Sequence, residues 1–270
     1  MIWSRTQSTG RHSTIWRGIA CFGPNMFLNT AKLAPVSHVP WHIVSRCLTQ
    51  NHKTLVLRPY QEECVSTCLS ALHAGKTRIG VSSPTGSGKT TVFTELISRL
   101  PAAKGCEGRA LILVNGITLA YQAAATARRM LPNVSVEIEQ GGKHVASGRA
   151  DITVATVQSL RGSLRLAKYH PQSFKCVIVD EAHHATSTSY LRVLSHFHRD
   201  VYNPDKNSEQ SKFQTNIIGF SATFSRNDGV ALSAVFEELV YHKDFLDMIK
   251  DKWYVVMYHA YTGYAHCVLL

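Results

Sequence analysis

The chain of 270 residues is long enough for one or two domains with a well-buried core. Its hydrophobic share of 44% is typical of a globular protein, and the sequence has no apolar run long enough to predict a membrane-spanning helix. The formal net charge of +11 is concentrated in the N-terminal part, so it is weak evidence for a nucleic-acid surface on the folded part.

The N-terminal segment has the composition of an organellar targeting sequence. The first 61 residues contain no Asp or Glu, and they carry seven Lys and Arg residues. An acid-free, basic start with many hydroxyl residues is typical of a mitochondrial or plastid transit peptide, whereas a secretory signal needs a compact apolar core. We therefore expect residues 1–50 to be a disordered presequence. The alternative is a disordered basic tail that binds polyanions.

Beyond Leu55, short apolar runs alternate with longer helical patterns. Near-continuous apolar strands separated by helices predict a parallel sheet covered on both faces, which is a doubly wound α/β domain. The predicted strands are Ile79–Ser82, Ala110–Val114, Val134–Ile138, Ile152–Ala155, Cys176–Val179 and Ile217–Phe220. The predicted helices are Pro59–Ala74, Lys89–Leu100, Ile117–Met130, Tyr190–Phe197 and Gly229–Leu239.

A glycine-rich segment, Ser83-Pro84-Thr85-Gly86-Ser87-Gly88-Lys89-Thr90, lies between a predicted strand and a predicted helix. A phosphate-binding loop requires that placement, because its glycines let backbone N–H groups turn inward and the helix N-terminus adds partial positive charge. Lys89 would neutralise phosphate oxygens, and Thr90 would place its hydroxyl on Mg²⁺. The general pattern begins with glycine where this chain has Ser83. A Gly/Ser turn beside a lone lysine is the alternative.

Two adjacent carboxylates, Asp180 and Glu181, follow the predicted strand Cys176–Val179. Sheets of this class bind ligands at the carboxyl ends of their strands. We therefore expect Asp180 to hold Mg²⁺ through water and Glu181 to orient and deprotonate an attacking water. The alternative is that both carboxylates cap the following helix, but the phosphate-binding loop upstream favours the catalytic interpretation.

Neither a structural metal site nor a disulfide framework is expected. The seven cysteines form no CxxC pair, and their odd number and scatter favour free thiols. His183, His184, His196 and His198 lack an HExxH arrangement and have no clear carboxylate or cysteine partner at ligand spacing. We interpret His183 as a polar contact between domains and the other three as solvated surface residues.

Four motifs occur in the order and approximate spacing of superfamily 2 helicases. They are Arg58-Pro59-Tyr60-Gln61, Pro84–Thr90, Asp180-Glu181-Ala182-His183 and Ser221-Ala222-Thr223. Between Leu55 and Trp253, the chain resembles the first RecA-like domain of the branch with a DEAH signature. That branch includes restriction-enzyme translocases and the mitochondrial branch-migration helicases of fungi. The resemblance implies an ATP-hydrolysing helicase or translocase with a RecA-like P-loop NTPase domain at residues 55–245, and with the presequence it implies the mitochondrial matrix.

The resemblance also implies roles for residues outside the phosphate-binding loop. Gln61 would hydrogen-bond the adenine of ATP, while His183, Ser221 and Thr223 would couple the carboxylates to the γ-phosphate. The backbone of DNA or RNA would be contacted by Asn115, Gly116, Thr156 and Gln158. Most relatives carry a basic residue near Gly116, which is missing here, and ordinary strand-to-helix turns are the alternative. Backbone contacts carry no base information, so the preference for DNA comes from the resemblance.

A helicase of this kind needs a second RecA-like domain, which supplies arginine fingers to the ATP site. Residues 246–270 form a short atypical tail, so we expect a truncated or alternatively spliced product, or an error in the gene model. Such a chain would bind ATP·Mg²⁺ weakly, hydrolyse it slowly and fail to unwind a duplex alone. A genuine single-domain protein is the alternative. Two further functions remain open: a non-catalytic nucleotide- or nucleic-acid-binding module, and a small-molecule kinase, which the four-motif order disfavours.

Overall fold

The computed structural model describes residues 56–204, 212–224, 232–258 and 265–269; the expected presequence lies outside them. Nine strands are present in the described residues. They are β1 (Arg78–Ser82), β2 (Arg109–Val114), β3 (Val136–Glu139), β4 (Ile152–Thr156), β5 (Phe174–Asp180), β6 (Asn216–Ser221), β7 (Glu238–His242), β8 (Tyr254–Tyr258) and β9 (Ala265–Leu269). The first seven form one parallel sheet in the order β3-β4-β2-β5-β6-β1-β7, and β8 and β9 form an antiparallel pair.

Helices connect the strands of the large sheet. They are α1 (Pro59–His73), α2 (Lys89–Arg99), α3 (Ile117–Met130), α4 (Val157–Leu160), α5 (Ser163–Leu166), α6 (Thr188–Phe197) and α7 (Phe245–Lys250). Single 3₁₀ turns span Pro171–Ser173 and Ala182–His184. In the described part of the chain, no helix combines the length and apolarity that a membrane crossing requires.

The core is divided by the sheet into two hydrophobic layers. Side chains of successive strand residues point to opposite faces, so Ile112 and Ile178 belong to one buried cluster while Leu111 and Val177 belong to the other. The first layer is completed by α1, α2 and α3, and the second by α4, α5 and α6. Burial on both faces explains why the strands are apolar at nearly every position. The predicted doubly wound α/β fold is therefore confirmed.

All six predicted strands are present, and four predicted helices are present with end shifts of at most two residues. The predicted helix Gly229–Leu239 is wrong at its C-terminal end, because Glu238 and Leu239 belong to β7. Residues 225–231 lie outside the described part. The Glu237 carboxylate accepts hydrogen bonds from the backbone N–H groups of Thr77 (2.6 Å) and Arg78 (2.9 Å). These contacts tie residue 237 to the start of β1, so the chain continues as an edge strand rather than a helix.

Candidate functional site

The phosphate-binding loop (residues 83–90) connects the carboxyl end of β1 to the N-terminus of α2. Gly86 and Gly88 both have φ of 81°, a left-handed conformation that glycine adopts without steric cost. A Cβ atom added to Gly88 would lie 2.6 Å from Nε2 of Gln61. Conformation and space therefore both require glycine at position 88. The first N–H groups of α2 have no partner within the helix, so they are available to an anion at this end.

Lys89 is the first residue of α2, and its side chain turns back into the loop. Its Nζ donates to the carbonyl oxygens of Ser83 (3.2 Å) and Pro84 (3.3 Å). Burial lowers the pKa of the Lys89 ammonium, and the negative charges of Glu181 and Asp180 oppose that shift. The cation is thus held inside the loop within the field of the two carboxylates. Thr90, the next helical residue, is half-buried.

The two carboxylates lie at the end of β5. Asp180 is 9% exposed, and its Oδ1 accepts a hydrogen bond of 3.1 Å from the backbone N–H of Glu181. Burial raises the pKa of Asp180, and the nearby charge of Glu181 adds to that effect. Glu181 itself has φ of 52°, a conformation that is uncommon outside glycine and costs about 1 kcal/mol or more. The strained backbone turns the chain sharply after Asp180 into the 3₁₀ turn that begins at Ala182.

Strand β6 lies between β1 and β5, and its end joins the phosphate-binding loop to the carboxylates. The backbone N–H of Ser83 donates to the carbonyl oxygen of Ser221 (2.9 Å). The Ser221 hydroxyl lies 3.1 Å from Nδ1 of His183, donates to the carbonyl oxygen of Thr223 (3.0 Å), and accepts from the backbone N–H of Thr223 (3.2 Å). His183 Nδ1 also lies 3.4 Å from Oε2 of Glu181. The residues predicted to couple the motifs are therefore in mutual contact.

Gln61 closes the other side of the loop from the first helix. It is 6% exposed, and its Nε2 donates to the carbonyl oxygen of Ser87 at 3.0 Å. Its Oε1 accepts from the backbone N–H of Arg58 at 3.0 Å, which fixes the orientation of the amide. Tyr60, the preceding residue, also donates its hydroxyl to the Ser87 carbonyl oxygen, at 2.8 Å. Gln61 thus contacts the loop directly, and its contact with adenine stays a prediction.

A separate groove of about 860 Å³ contains the residues predicted to contact nucleic acid. Asn115 and Gly116 follow β2, whereas Thr156 and Gln158 lie at the junction of the adjacent strand β4 with α4. Nε2 of Gln158 donates to the side-chain oxygen of Asn115 at 3.3 Å, so the two segments meet. The Thr156 hydroxyl is 2.8 Å from that of Ser159. All four predicted residues line one groove.

The comparison with protein families decides the family of the chain. The model described as type III restriction enzyme, res subunit, matches residues 54–226, which include the phosphate-binding loop, the carboxylates and the groove. The chain belongs to this family.

Two curated relatives in yeasts share the matched region. The mitochondrial ATP-dependent helicase irc3 of Schizosaccharomyces pombe is 49% identical over 201 residues, covering 74% of this chain and 31% of the relative. The ATP-dependent helicase IRC3 of Saccharomyces cerevisiae is 40% identical over 215 residues, covering 78% of this chain and 29% of the relative. The chain thus spans about a third of the length of the curated relatives it matches.

A solved helicase structure has the same fold. The Hef helicase domain of Pyrococcus furiosus aligns with a TM-score of 0.59 at 21% identity, over 75% of this chain and 41% of that chain. At this identity the likeness concerns the fold alone. It agrees with the seven-stranded parallel sheet and identifies the domain as RecA-like.

Three residues at the candidate sites were not singled out by the sequence-based predictions. Arg161 and Arg165 also line the groove. Arg161 is exposed and supplies positive charge that Gly116 does not, whereas Arg165 forms an ion pair of 3.2 Å with the buried Glu139. Their signal was available, since both basic residues follow the predicted contact residues Thr156 and Gln158 closely in the sequence. Tyr60 was noticed only as part of the Arg58–Gln61 motif, although its hydroxyl contacts the phosphate-binding loop.

The interpretation of His198 as a solvated surface residue is wrong. Its side chain is fully buried, its Nε2 lies 3.0 Å from the Thr77 hydroxyl, and its Nδ1 accepts from the backbone N–H of Asp200 at 3.1 Å. Burial and the positive charge of Arg78 lower the pKa of His198 to about 4. A neutral imidazole with both nitrogens engaged explains why this polar ring is buried. Among the described residues, no group of three or more His, Cys, Asp and Glu side chains could hold a metal ion.

Proposed function

We propose that the chain binds ATP·Mg²⁺ between the phosphate-binding loop and the carboxylates of β5, and that this site is the ATPase centre of a nucleic-acid helicase or translocase. One observation carries the proposal. The loop after β1 and the carboxylates after β5 flank the same strand, β6, so Lys89, Asp180 and Glu181 meet at the carboxyl edge of the sheet. Ligands of doubly wound sheets bind at this edge.

Each residue of the site has a chemical task in this proposal. Backbone N–H groups of the loop and the Lys89 ammonium neutralise the phosphate oxygens, and Glu181 orients and deprotonates the attacking water. Thr90 and Asp180 hold Mg²⁺, which supplies charge neutralisation at the phosphates when bound. The left-handed glycines and the buried, weakly partnered Asp180 carboxylate fit a phosphate group with its metal ion. Gln61 gives the preference for adenine.

The signal from the phosphate site passes through His183, Ser221 and Thr223 in our proposal. The Ser221 hydroxyl contacts His183, and the Ser221 carbonyl contacts the loop, so a movement at either motif changes the environment of the other. We further propose that the groove of Asn115, Gly116, Thr156 and Gln158 holds a nucleic-acid backbone, with DNA preferred over RNA. The exposed Arg161 supports this assignment, since cationic side chains supply most of the affinity for phosphates.

The activity of a whole helicase is also a proposal, because the chain spans about a third of its curated relatives. A second RecA-like domain would supply the arginine finger, which is worth about 10³–10⁵ in rate in related phosphoryl-transfer enzymes. Without that arginine finger, we expect the RecA-like domain by itself to hydrolyse ATP slowly, and we expect unwinding of a duplex to need both domains. The name of the fission-yeast relative supports the mitochondrion as its location, with residues 1–50 as presequence.

ATP turnover with and without DNA or RNA tests the proposed function, in the unaltered chain and in Lys89→Ala. The proposal expects slow hydrolysis that nucleic acid accelerates and that Lys89→Ala abolishes. Arg99→Ala is the control, since Arg99 lies at the other end of α2 and forms exposed ion pairs with Glu62 and Glu95. Binding of ATP with no turnover in the presence of either nucleic acid would instead favour a non-catalytic nucleotide-binding module. Transfer to a small phosphoacceptor would favour a kinase.

A further inference from the structure

The Ser87–Gly88 peptide group is held by two side chains of helix α1. The carbonyl oxygen of Ser87 accepts hydrogen bonds from the Tyr60 hydroxyl at 2.8 Å and from Gln61 Nε2 at 3.0 Å. The Ser87 side chain is fixed as well, because its hydroxyl accepts from that of Ser83 at 2.7 Å. This peptide immediately precedes Lys89, at the centre of the phosphate-binding loop.

The orientation of that peptide decides where one loop N–H group points. The described peptide bonds are all trans, and a planar trans peptide directs its C=O and N–H to opposite sides. When the Ser87 carbonyl faces α1, the N–H of Gly88 must face away from α1. Gly88 is a glycine with φ of 81°, and it has no β-carbon that would restrain the peptide. The restraint therefore comes from Tyr60 and Gln61.

Tyr60 is in turn oriented by residues that come from the far end of the described domain. Its ring packs edge-on against Trp253, with ring centroids 5.5 Å apart, and it shares a small apolar cluster with the buried Met248. The Tyr60 carbonyl oxygen accepts a hydrogen bond from the Tyr241 hydroxyl at 3.1 Å. The backbone N–H of Trp253 donates to the carbonyl oxygen of Met248 at 2.9 Å, which places the indole at the end of α7. The ring of Tyr60 is thus held between α1 and the segment that follows β7.

We propose that Tyr60 is a positioning residue of the ATP site, which aims the Gly88 N–H at the phosphates, and that Trp253 keeps Tyr60 in place. The inference rests on the proposed function, because it assigns a task at the same site. Tyr60 does not contact the nucleotide in this scheme; it acts through the Ser87–Gly88 peptide. The segment that ends α7 thereby becomes part of the ATP site.

Variants of the full chain separate this role from general stability. Tyr60→Phe keeps the ring against Trp253 and removes only the hydroxyl, and we expect the Kd for ATP to rise about fivefold, which corresponds to one net hydrogen bond. The matched control is Tyr169→Phe, which removes another buried hydroxyl bond, of 2.9 Å to Glu139, away from the loop. We expect its Kd for ATP to stay unchanged. Melting temperatures of both variants show the stability cost of losing a buried hydroxyl.

Trp253 is tested by a pair of substitutions. Trp253→Ala removes the ring that packs on Tyr60 and should weaken ATP binding about threefold or more, whereas Trp253→Phe keeps an aromatic contact and should restore most of the affinity. The positioning role would be overturned if Tyr60→Phe bound ATP as tightly as the unaltered chain, or if Tyr60→Phe and Tyr169→Phe lost the same amount of ATP affinity. Failure of the unaltered chain to bind ATP would overturn the proposed function itself. Equilibrium dialysis with labelled ATP distinguishes these outcomes.

Discussion

Substitution of Gly88 by alanine places a defined strain on the phosphate-binding loop. Gly88 has φ of 81°, and the left-handed conformation costs an alanine about 1 kcal/mol relative to glycine. The new Cβ would also lie 2.6 Å from Nε2 of Gln61, so the amide must move away. That movement breaks the hydrogen bond to Ser87, worth about 1 kcal/mol. If both costs fall on the ATP-binding conformation, about 2 kcal/mol corresponds to a Kd for ATP that is roughly 30-fold higher.

Gly75→Ala is the matched control, since it introduces the left-handed alanine without the contact with Gln61. Gly75 is also left-handed, with φ of 92°, but a Cβ there would meet no atom within 4 Å. It lies beyond the C-terminal end of α1, away from the site. Chemical unfolding should show a cost of about 1 kcal/mol for Gly75→Ala, and equilibrium dialysis should show an unchanged Kd for ATP. The same Kd for ATP in Gly88→Ala and Gly75→Ala would refute the reasoning about the loop.

Three further predictions concern other parts of the domain. The pKa of His198 is about 4 in the folded chain against an ordinary 6.5, so its contribution to stability is complete above about pH 6.5 and is lost as the pH falls toward 4. Between pH 7 and 5, the free energy of unfolding in urea should therefore change by about 2 kcal/mol less in His198→Asn than in the unaltered chain. An unchanged pH dependence would contradict the buried neutral ring. The carboxylate of Glu139 is fully buried, and its Oε2 lies 2.6 Å from Nζ of Lys168. Glu139→Gln should therefore lower the free energy of unfolding by about 2 kcal/mol in a denaturant titration, and an unchanged midpoint would contradict this prediction. In the groove, Arg161→Ala should weaken DNA binding and reduce the slope of log affinity against log salt concentration by about one counterion. Arg149 is exposed and lies outside the groove, so Arg149→Ala should leave both unchanged. Equal slopes in the two variants would show that Arg161 does not contact the DNA.

The sequence was most informative where one chemical requirement determined both residue type and position. The glycine-rich loop had to follow a strand and precede a helix, and the doubled carboxylate had to end a buried strand. Both predictions identified elements of the sheet correctly, because short apolar runs bounded by turn residues and helical patterns are typical of strands buried on both faces. The helical propensity of the residues before Leu239 was misleading, because the contact of Glu237 with Thr77 and Arg78 joins positions about 160 residues apart.

Long-range packing also explains what the sequence did not reveal at the site. Nothing in the local pattern around Trp253 indicates that its ring packs on Tyr60, since the contact joins the first helix to the segment that follows the edge strand β7. His198 looked like one of several surface histidines, because its burial depends on Thr77 from a different part of the chain. Groove residues were predicted from their motifs, but their convergence depends on the adjacency of β2 and β4 in the sheet order.

The central claim is that ATP·Mg²⁺ binds between Lys89 and the carboxylates of β5. Its most direct test is the Kd for ATP, measured with Mg²⁺ and with excess chelator, in the unaltered chain, in Lys89→Ala and in Asp180→Asn. We predict that chelation weakens binding in the unaltered chain, that Lys89→Ala binds at least tenfold more weakly under both conditions, and that Asp180→Asn loses most of the response to Mg²⁺. Equal affinity in all three proteins, with or without Mg²⁺, would contradict the account.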